Sequence, residues 1–385
     1  MVKENNCKSV PNGHGNDAVP DNNGKGIPNG RGNDAAPDDA TGFAGILPLG
    51  NNSQTCHARF PHLNPLPEGE EANESLRELH VKVSICIPVR NGGTFLPLAV
   101  ESVLVQSFHD FEIIIVDNAS TDGTTAWAEE MAASNDKVRL FKNDHNIGLV
   151  GNFNACLKYA HGTYIKYLCA DDLLMPLCLE KMTQALDDDL SVSLVAGGRQ
   201  ILNEAGEAIG LQYYSRAPAK FPGHEVINRC LFGANYIGEP SAVMFRRQDA
   251  LRGFREELSH LMDLEMWFHL LEKGRMANLP EPLCAIRRHA AQMTVQSVKS
   301  GALVEDNVRL FKEYGSKAYI HESWVNDLGR RTHMAYRIWL CREHLDAARR
   351  DQLLKLYSIP VIYYFVMPVL ARTLSRLRHT HLLKR

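Results

Sequence analysis

VSICIPVRNGGTFLPLAVESVLVQSFHDFEIIIVDNASTDGT, residues 83–124, decides how this chain folds. Taken from residue 81, its first run is VKVSICIPV, with apolar side chains at 81, 83, 85, 87 and 89 before Arg-Asn-Gly-Gly, the alternation of a strand that ends in a loop. Thr94 is placed to cap a helix reaching Gln106. FEIIIVD (111–117) is almost continuously apolar, and Asp122 is placed to cap a second helix to about Ala133. Working outward, VRLF (138–141), a helical stretch over 149–160, TYIKYL (163–168), another helix over 176–186 and SVSLVAG (191–197) repeat the alternation. Strands that read as apolar runs between helices predict an α/β fold with a mostly parallel sheet covered on both faces. Beyond it the sequence predicts a hairpin, a helix near 224–232, a strand at 242–247, a helix near 262–273 and a short strand at 283–288, then helix throughout 298–350.

The 385 residues, 44% hydrophobic and 23% charged, suit one globular domain of roughly 250 residues with extensions. A net charge of −3 gives no basic face for nucleic acid, so none is expected as a partner. The nine cysteines are odd in number and never spaced Cys-x-x-Cys, which argues against a disulfide framework or zinc site and for a reducing compartment. MVKENNCKSVPNGHG at the N-terminus has no apolar core for a secretory signal, so a cytoplasmic location is expected, and the sequons at Asn51, Asn73 and Asn118 are read as chance. PNGHGNDAVPD (11–21) recurs as PNGRGNDAAPD (28–38), and residues 1–78 read as a disordered low-complexity tail. LYSIPVIYYFVMPVLA (356–371) is too short and too proline-broken to span a bilayer. With the basic tail behind it, the segment 356–385 suits either a peripheral contact with the inner face of the cytoplasmic membrane or a helix docked on the domain.

In an open parallel sheet, ligands sit beyond the carboxyl ends of the strands. Here those ends deliver Pro88, Val89, Arg90 and Asn91; then Asp117-Asn118-Ala119-Ser120-Thr121-Asp122; then Cys169-Ala170-Asp171-Asp172. Gathered carboxylates repel one another unless a cation sits between them, and a hard divalent ion on diphosphate oxygens meets that need. Each Asp singly could instead open a helix or turn, and Asp122 is assigned mainly to that role. Neither G-x-G-x-x-G after the first strand, nor a P-loop, nor G-x-S-x-G occurs, which disfavours dinucleotide, P-loop and hydrolase chemistry.

Residues 83–124 followed by NIGLVGNFNACLKYAHGTYIKYLCADD (146–172) resemble a family-2 glycosyltransferase of the GT-A fold, and the likeness runs from about Val81 to Thr294. The resemblance implies a GT-A domain over 79–295 with a helical extension over 296–385. It also implies an inverting transfer of a sugar from a nucleotide-diphosphate sugar, UDP-linked by preference, to a saccharide or lipid-linked acceptor in cell-surface polysaccharide synthesis. Pro88 to Asn91 and Asp117 would line the base and ribose pocket, joined on the donor side by Asn118, Asn146, Gly148, Asn152, Ala170 and Asp172. Asp171 would ligate Mn²⁺ or Mg²⁺. The sequence departs from the family where Cys169 replaces the first acidic residue and where Arg90 replaces a base-stacking aromatic; a planar guanidinium can stack as well.

GFREELSHLMDLEMWFHLLEKG (253–274) resembles the segment carrying a Glu-Asp pair, with Asp263 on the Asp and Met262, an acceptor-side position, where Glu is common. Asp263 is the candidate base for the acceptor hydroxyl; the alternative makes Asp263 and Glu265 solvated positions of an amphipathic helix. AIRRHAAQMT (285–294) resembles the loop over the diphosphate, with Arg287, Arg288 and His289 as candidates, Arg288 and His289 on the donor side and His289 a second metal ligand; for Arg287 or Arg288 singly the alternative is a basic surface turn. Glu239 in NYIGEPSAVMFRR is either an acceptor-side contact or a buried partner of an Arg. A nucleotidyltransferase and an inactive nucleotide-sugar-binding scaffold are the rival readings.

Overall fold

The computed structural model describes residues 81–289, 302–340, 342–356 and 358–359. The N-terminal repeat, residues 290–301 and almost all of the C-terminal apolar and basic segment lie outside them, as do the readings that rest on these stretches.

The strands are β1 (Val83–Val89), β2 (Phe111–Asp117), β3 (Val138–Lys142), β4 (Tyr164–Tyr167), β5 (Leu173–Leu174), β6 (Val192–Leu202), β7 (Ala208–Gln212), β8 (Ala219–Pro222), β9 (Val243–Arg246) and β10 (Arg275–Arg287). The helices are α1 (Phe95–Leu104), α2 (Thr124–Ser134), α3 (Gly148–Tyr159), α4 (Cys178–Asp187), α5 (Gly223–Leu231), α6 (Met262–Leu271), α7 (Ala302–Tyr314), α8 (Trp324–Leu340) and α9 (Ala347–Leu356). One sheet runs β3-β2-β1-β4-β9-β6-β10-β5, with β7 beside β6 and β8 beside β10. It is parallel from β3 to β4 and between β6 and β10; β9 enters antiparallel to both of its neighbours. Every residue of β2 and all of β1 but Pro88 are buried, as parallel strands covered on both faces must be. The turn into β4 lies so close to β1 that a Cβ on Gly162 would sit 2.4 Å from the Ser84 amide nitrogen.

Two details depart from expectation. Thr94 stands at the start of α1 without capping it: its own backbone is helical, and the Phe95 and Leu96 N–H groups donate to the Gly92 carbonyl instead. The region 298–350 is not helical throughout, because helices α7, α8 and α9 are separate. Ser323 and Asp346 cap the last two by accepting the amides of Asn326 and Arg349 at 3.2 and 2.7 Å. Leu303, Leu310 and Tyr314 of α7 join the main core, whereas α8 and α9 gather Met334, Ile338, Leu353 and Leu354 around Val304 and Val308 in a second, smaller one.

Candidate active site

The parallel strands β1, β2 and β4 end side by side, and their loops are tied together before any ligand arrives. Asn91 and Ala119 both adopt φ 55, a left-handed turn that an Asn takes readily and an Ala only where its surroundings fix it. The turn at Ala119 brings the Ser120 hydroxyl back to Asp117 at 2.5 Å, and Thr125 donates to the other Asp117 oxygen at 2.5 Å. Asn91 spans the two loops, donating its amide to Ser120 and accepting the Thr121 amide, each at 2.8 Å. Asp122 accepts the Thr124 amide at 3.0 Å and the Gly93 amide at 3.1 Å; it ties the turn before α2 to the β1 loop, whereas the N-cap position of α2 is Gly123. Arg90 projects exposed at the end of β1.

Asn118 and Asn152, expected on the donor side, serve the framework instead. Asn118 is buried; its amide nitrogen donates to Asn146 Oδ1 and the Gly148 carbonyl, and its oxygen accepts from Asn143 and the Ile147 amide. That exhausts the hydrogen-bonding capacity of a carboxamide. Asn152 likewise donates to the Val116 and Val89 carbonyls and accepts from Asn143. The pair pins the 143–148 loop over the strand ends and leaves Asn146 and Gly148 exposed at the surface. Asn118→Ala is expected to cost about 2–4 kcal/mol, because it strands several buried partners at once; a chemical-denaturation midpoint equal to that of the parent would refute this.

Asp171 and Asp172, adjacent in sequence, have opposite fates. Asp172 is buried, accepting the Ser241 hydroxyl at 2.6 Å and the Arg287 amide at 3.1 Å. Burial, with the Asp171 charge beside it, holds its carboxyl well above the usual range. Asp172 is therefore a brace between the β4 turn, the short 3-10 turn Pro240–Ala242 and β10, and not a donor contact. Asp171 is partly exposed, and His289 Nε2 lies 3.0 Å from its Oδ2. Cys169, Asp171 and Asp172 place ligand atoms within 4.8 Å of one another. A partly exposed carboxylate with an imidazole nitrogen against it is a donor set that a divalent cation accepts, so Asp171 and His289 fit the metal the resemblance implies. Phe95 steadies this corner, its ring 5.6 Å from that of His289 and 4.8 Å from the Arg287 guanidinium.

From His289 a line of contacts leads to Asp263. The neighbouring Arg288 donates to Glu239 Oε1 at 2.5 Å, and buried Arg199 stands 3.6 Å from Glu239 Oε2. The two guanidinium charges hold the Glu239 carboxyl below its usual range, although partial desolvation pulls the other way. Glu239 thus belongs to an Arg cluster, the alternative role considered for it. Gly238 before it has φ +130, and a Cβ there would come 2.1 Å from Arg199, so this loop requires glycine. Its carbonyl receives Trp267 Nε1 at 3.1 Å, and Asn235 donates both to that carbonyl and, at 3.4 Å, to Asp263 Oδ2. Asp263, in the first turn of α6, is pushed up to about 7, mainly by burial and further by the Glu239 charge. Its neighbours behave otherwise. Met262, read as an acceptor-side position, is 3% exposed and packs in the core; Glu265 is 2% exposed and is held by Arg252 and Tyr314 rather than by solvent.

Sequence reasoning passed over Arg199, Asn235, Ser241 and Phe95 as site residues. Arg199 alone carried a signal, a cation inside the apolar run SVSLVAGGRQIL.

The sequence profile of Glycosyl transferase family 2 matches residues 84–252. A putative glycosyltransferase of Bacillus subtilis, EpsE, is 31% identical over 210 residues, which cover 54% of this chain and 73% of that one. The chain belongs to glycosyltransferase family 2. This glycosyltransferase is also 34% identical to the uncharacterized protein MT1568 of Mycobacterium tuberculosis over 59% of its own length and 74% of the relative's. Among solved structures it resembles S. aureus TarS 1-349 in complex with UDP-GlcNAc, with a TM-score of 0.50 at 14% identity, over 76% of this chain and 92% of that one. That likeness concerns the fold alone, and the family domain is GT-A. Among the described residues, no helix of the glycosyltransferase is long and apolar enough to cross a membrane.

Proposed function

We propose that this glycosyltransferase moves a sugar, with inversion, from a UDP-sugar to a hydroxyl of a saccharide or lipid-linked acceptor in cell-surface polysaccharide synthesis. The observation that carries the reading is the raised Asp263 carboxyl at the end of the contact line from Asp171 and His289 through Arg288 and Glu239. A base poised near neutral pH suits removal of an acceptor hydroxyl proton, which Asp263 takes as the oxygen attacks the anomeric carbon. Pro88, Val89, Arg90, Asn91 and Asp117 line the nucleoside end. Asn146, Gly148 and Ala170 stand at its edge, and Arg288 and His289 face the diphosphate. Asp171 and His289 are the residues that would hold a divalent ion, Mn²⁺ or Mg²⁺. Such an ion, when bound, neutralises charge growing on the departing diphosphate. A solvated surface carboxylate would not favour this reading, since it would titrate near its ordinary value.

Calorimetric titration of the full chain with UDP, GDP and dTDP, each with and without Mn²⁺, tests the donor. Mn²⁺-dependent binding of UDP alone is expected. Equal binding of all three would remove the case for uridine, and no binding of any would remove the donor site.

A further inference from the structure

Helix α8 is anchored at one end and bare at the other. Its second half packs Met334, Ala335 and Ile338 into the smaller core, whereas its first turns leave Val325 and Leu328 exposed and Trp324 78% exposed. The bare end is ordered, since Ser323 caps it, and Asp327, the one carboxylate between 324 and 331, is paired with Arg330 and Arg331. Three large apolar side chains within five residues of a surface helix mark an interaction face. Arg331 Nη1 donates to the Ser358 carbonyl at 2.9 Å, which brings the end of α9, with exposed Leu356, to the turn after Leu328. From there the sequence continues as PVIYYFVMPVLARTLSRLRHTHLLKR (360–385), apolar and then basic, without an acidic residue. Charge identifies the kind of partner. From Trp324 to Arg385 there are twelve Lys and Arg against four Asp and Glu, in a chain that has 42 and 45 in all.

We propose that Trp324, Val325, Leu328 and Leu356 form a face that docks this glycosyltransferase on an anionic bilayer. Apolar side chains enter the boundary between headgroups and acyl chains, Trp above all, while the surplus cations meet lipid phosphates. The face is fastened to the region of the candidate base. Asn228 of α5 donates to the Tyr319 carbonyl and accepts the His321 amide, each at 2.8 Å, which fixes the approach to α8. His321 and Asn326 then share an open depression with Arg229 and Tyr236, and Tyr236 follows Asn235, the donor to Asp263. Docking through the start of α8 therefore keeps this side of the molecule close to lipid, the surface that presents the lipid-linked class of acceptor named above.

The test floats the full chain with vesicles of phosphatidylcholine, alone or mixed equally with phosphatidylglycerol. The mixed vesicles should bind it at least about tenfold more tightly, and raised salt should weaken that binding. The double variant Trp324→Ser, Leu328→Ser should lose about tenfold or more in vesicle affinity. Its melting temperature and its UDP binding should match the parent's, because both side chains are exposed. Brominated lipid should quench the tryptophan emission of the bound parent, and Trp324→Phe should bind yet lose most of that quenching. A parent that binds no vesicle, equal binding of the two compositions, an unmoved affinity in the double variant or unmoved quenching in Trp324→Phe would each overturn the proposal. The donor reading falls separately: vesicle binding by a chain that takes up no nucleotide would remove the donor site and leave the docking face standing.

Discussion

Asp263→Asn is expected to lower kcat by about 10²–10⁴-fold, the range lost with a positioned general base, while UDP binding stays within a factor of two to three of the parent. Asn preserves the shape and the contact with Asn235 but cannot take a proton. The pH profile supplies a second readout. Because burial and the Glu239 charge push the Asp263 carboxyl from 3.8 up to about 7, the working carboxylate is scarce below neutrality. The logarithm of kcat/KM should climb with unit slope up to about pH 7 and then level. The residue's folded value lies above its unfolded one, so ionising it opposes folding: the penalty is absent below 3.8 and fully present above about 7. Asp263→Asn should therefore melt no lower than the parent at pH 8, which separates lost chemistry from lost structure. Unchanged turnover would take the base role away from Asp263. A parent with no turnover that still bound UDP would favour a scaffold that only holds nucleotide sugars.

The fold was legible where physics left the sequence few options, and the site was legible only in outline. β1 and β2 announced themselves because strands buried on both faces favour apolar residues, the buried Ser84 and Glu112 being admitted as a hydrogen-bonded pair. The first half of β10, RMANLPEP, did not: it holds two prolines and polar residues, and its pairing with β6 shifts register around them. The carboxylates at strand ends pointed to the corner of the sheet where Asp171 and His289 meet. What sequence could not distinguish was a polar residue facing the cleft from one facing the framework. Asn118, Asn152 and Asp172 sit in the family's motifs, yet each is sealed by partners far along the chain, Ser241 and Arg287 among them. Met262 and Glu265 flank the candidate base on one helix and turn inward, because α6 is apolar nearly all round and buries both. Glu239 became readable only through Arg199, which stands far from it in sequence and enters from β6.

Asp171→Ala should remove Mn²⁺-dependent binding of UDP and reduce kcat/KM by about 10²–10⁴-fold, the several kcal/mol that a cation contributes to a departing diphosphate. The neighbouring Asp172 cannot compensate. Its two oxygens already accept from the Ser241 hydroxyl and the Arg287 amide, and burial raises its carboxyl above the usual range. His289 alone is a single neutral ligand, and it would lose the carboxylate at 3.0 Å that orients its ring. The contrast with Asp172→Ala makes the argument testable. That variant removes a brace joining three elements, so its principal effect should be a lower melting temperature, with some metal affinity surviving in the folded fraction. Asp171→Ala should instead leave the melting temperature nearly unchanged, since Asp171 is partly exposed, and should abolish the metal response. If the two variants behaved alike in both measurements, Asp171 would hold no privileged place at the end of β4.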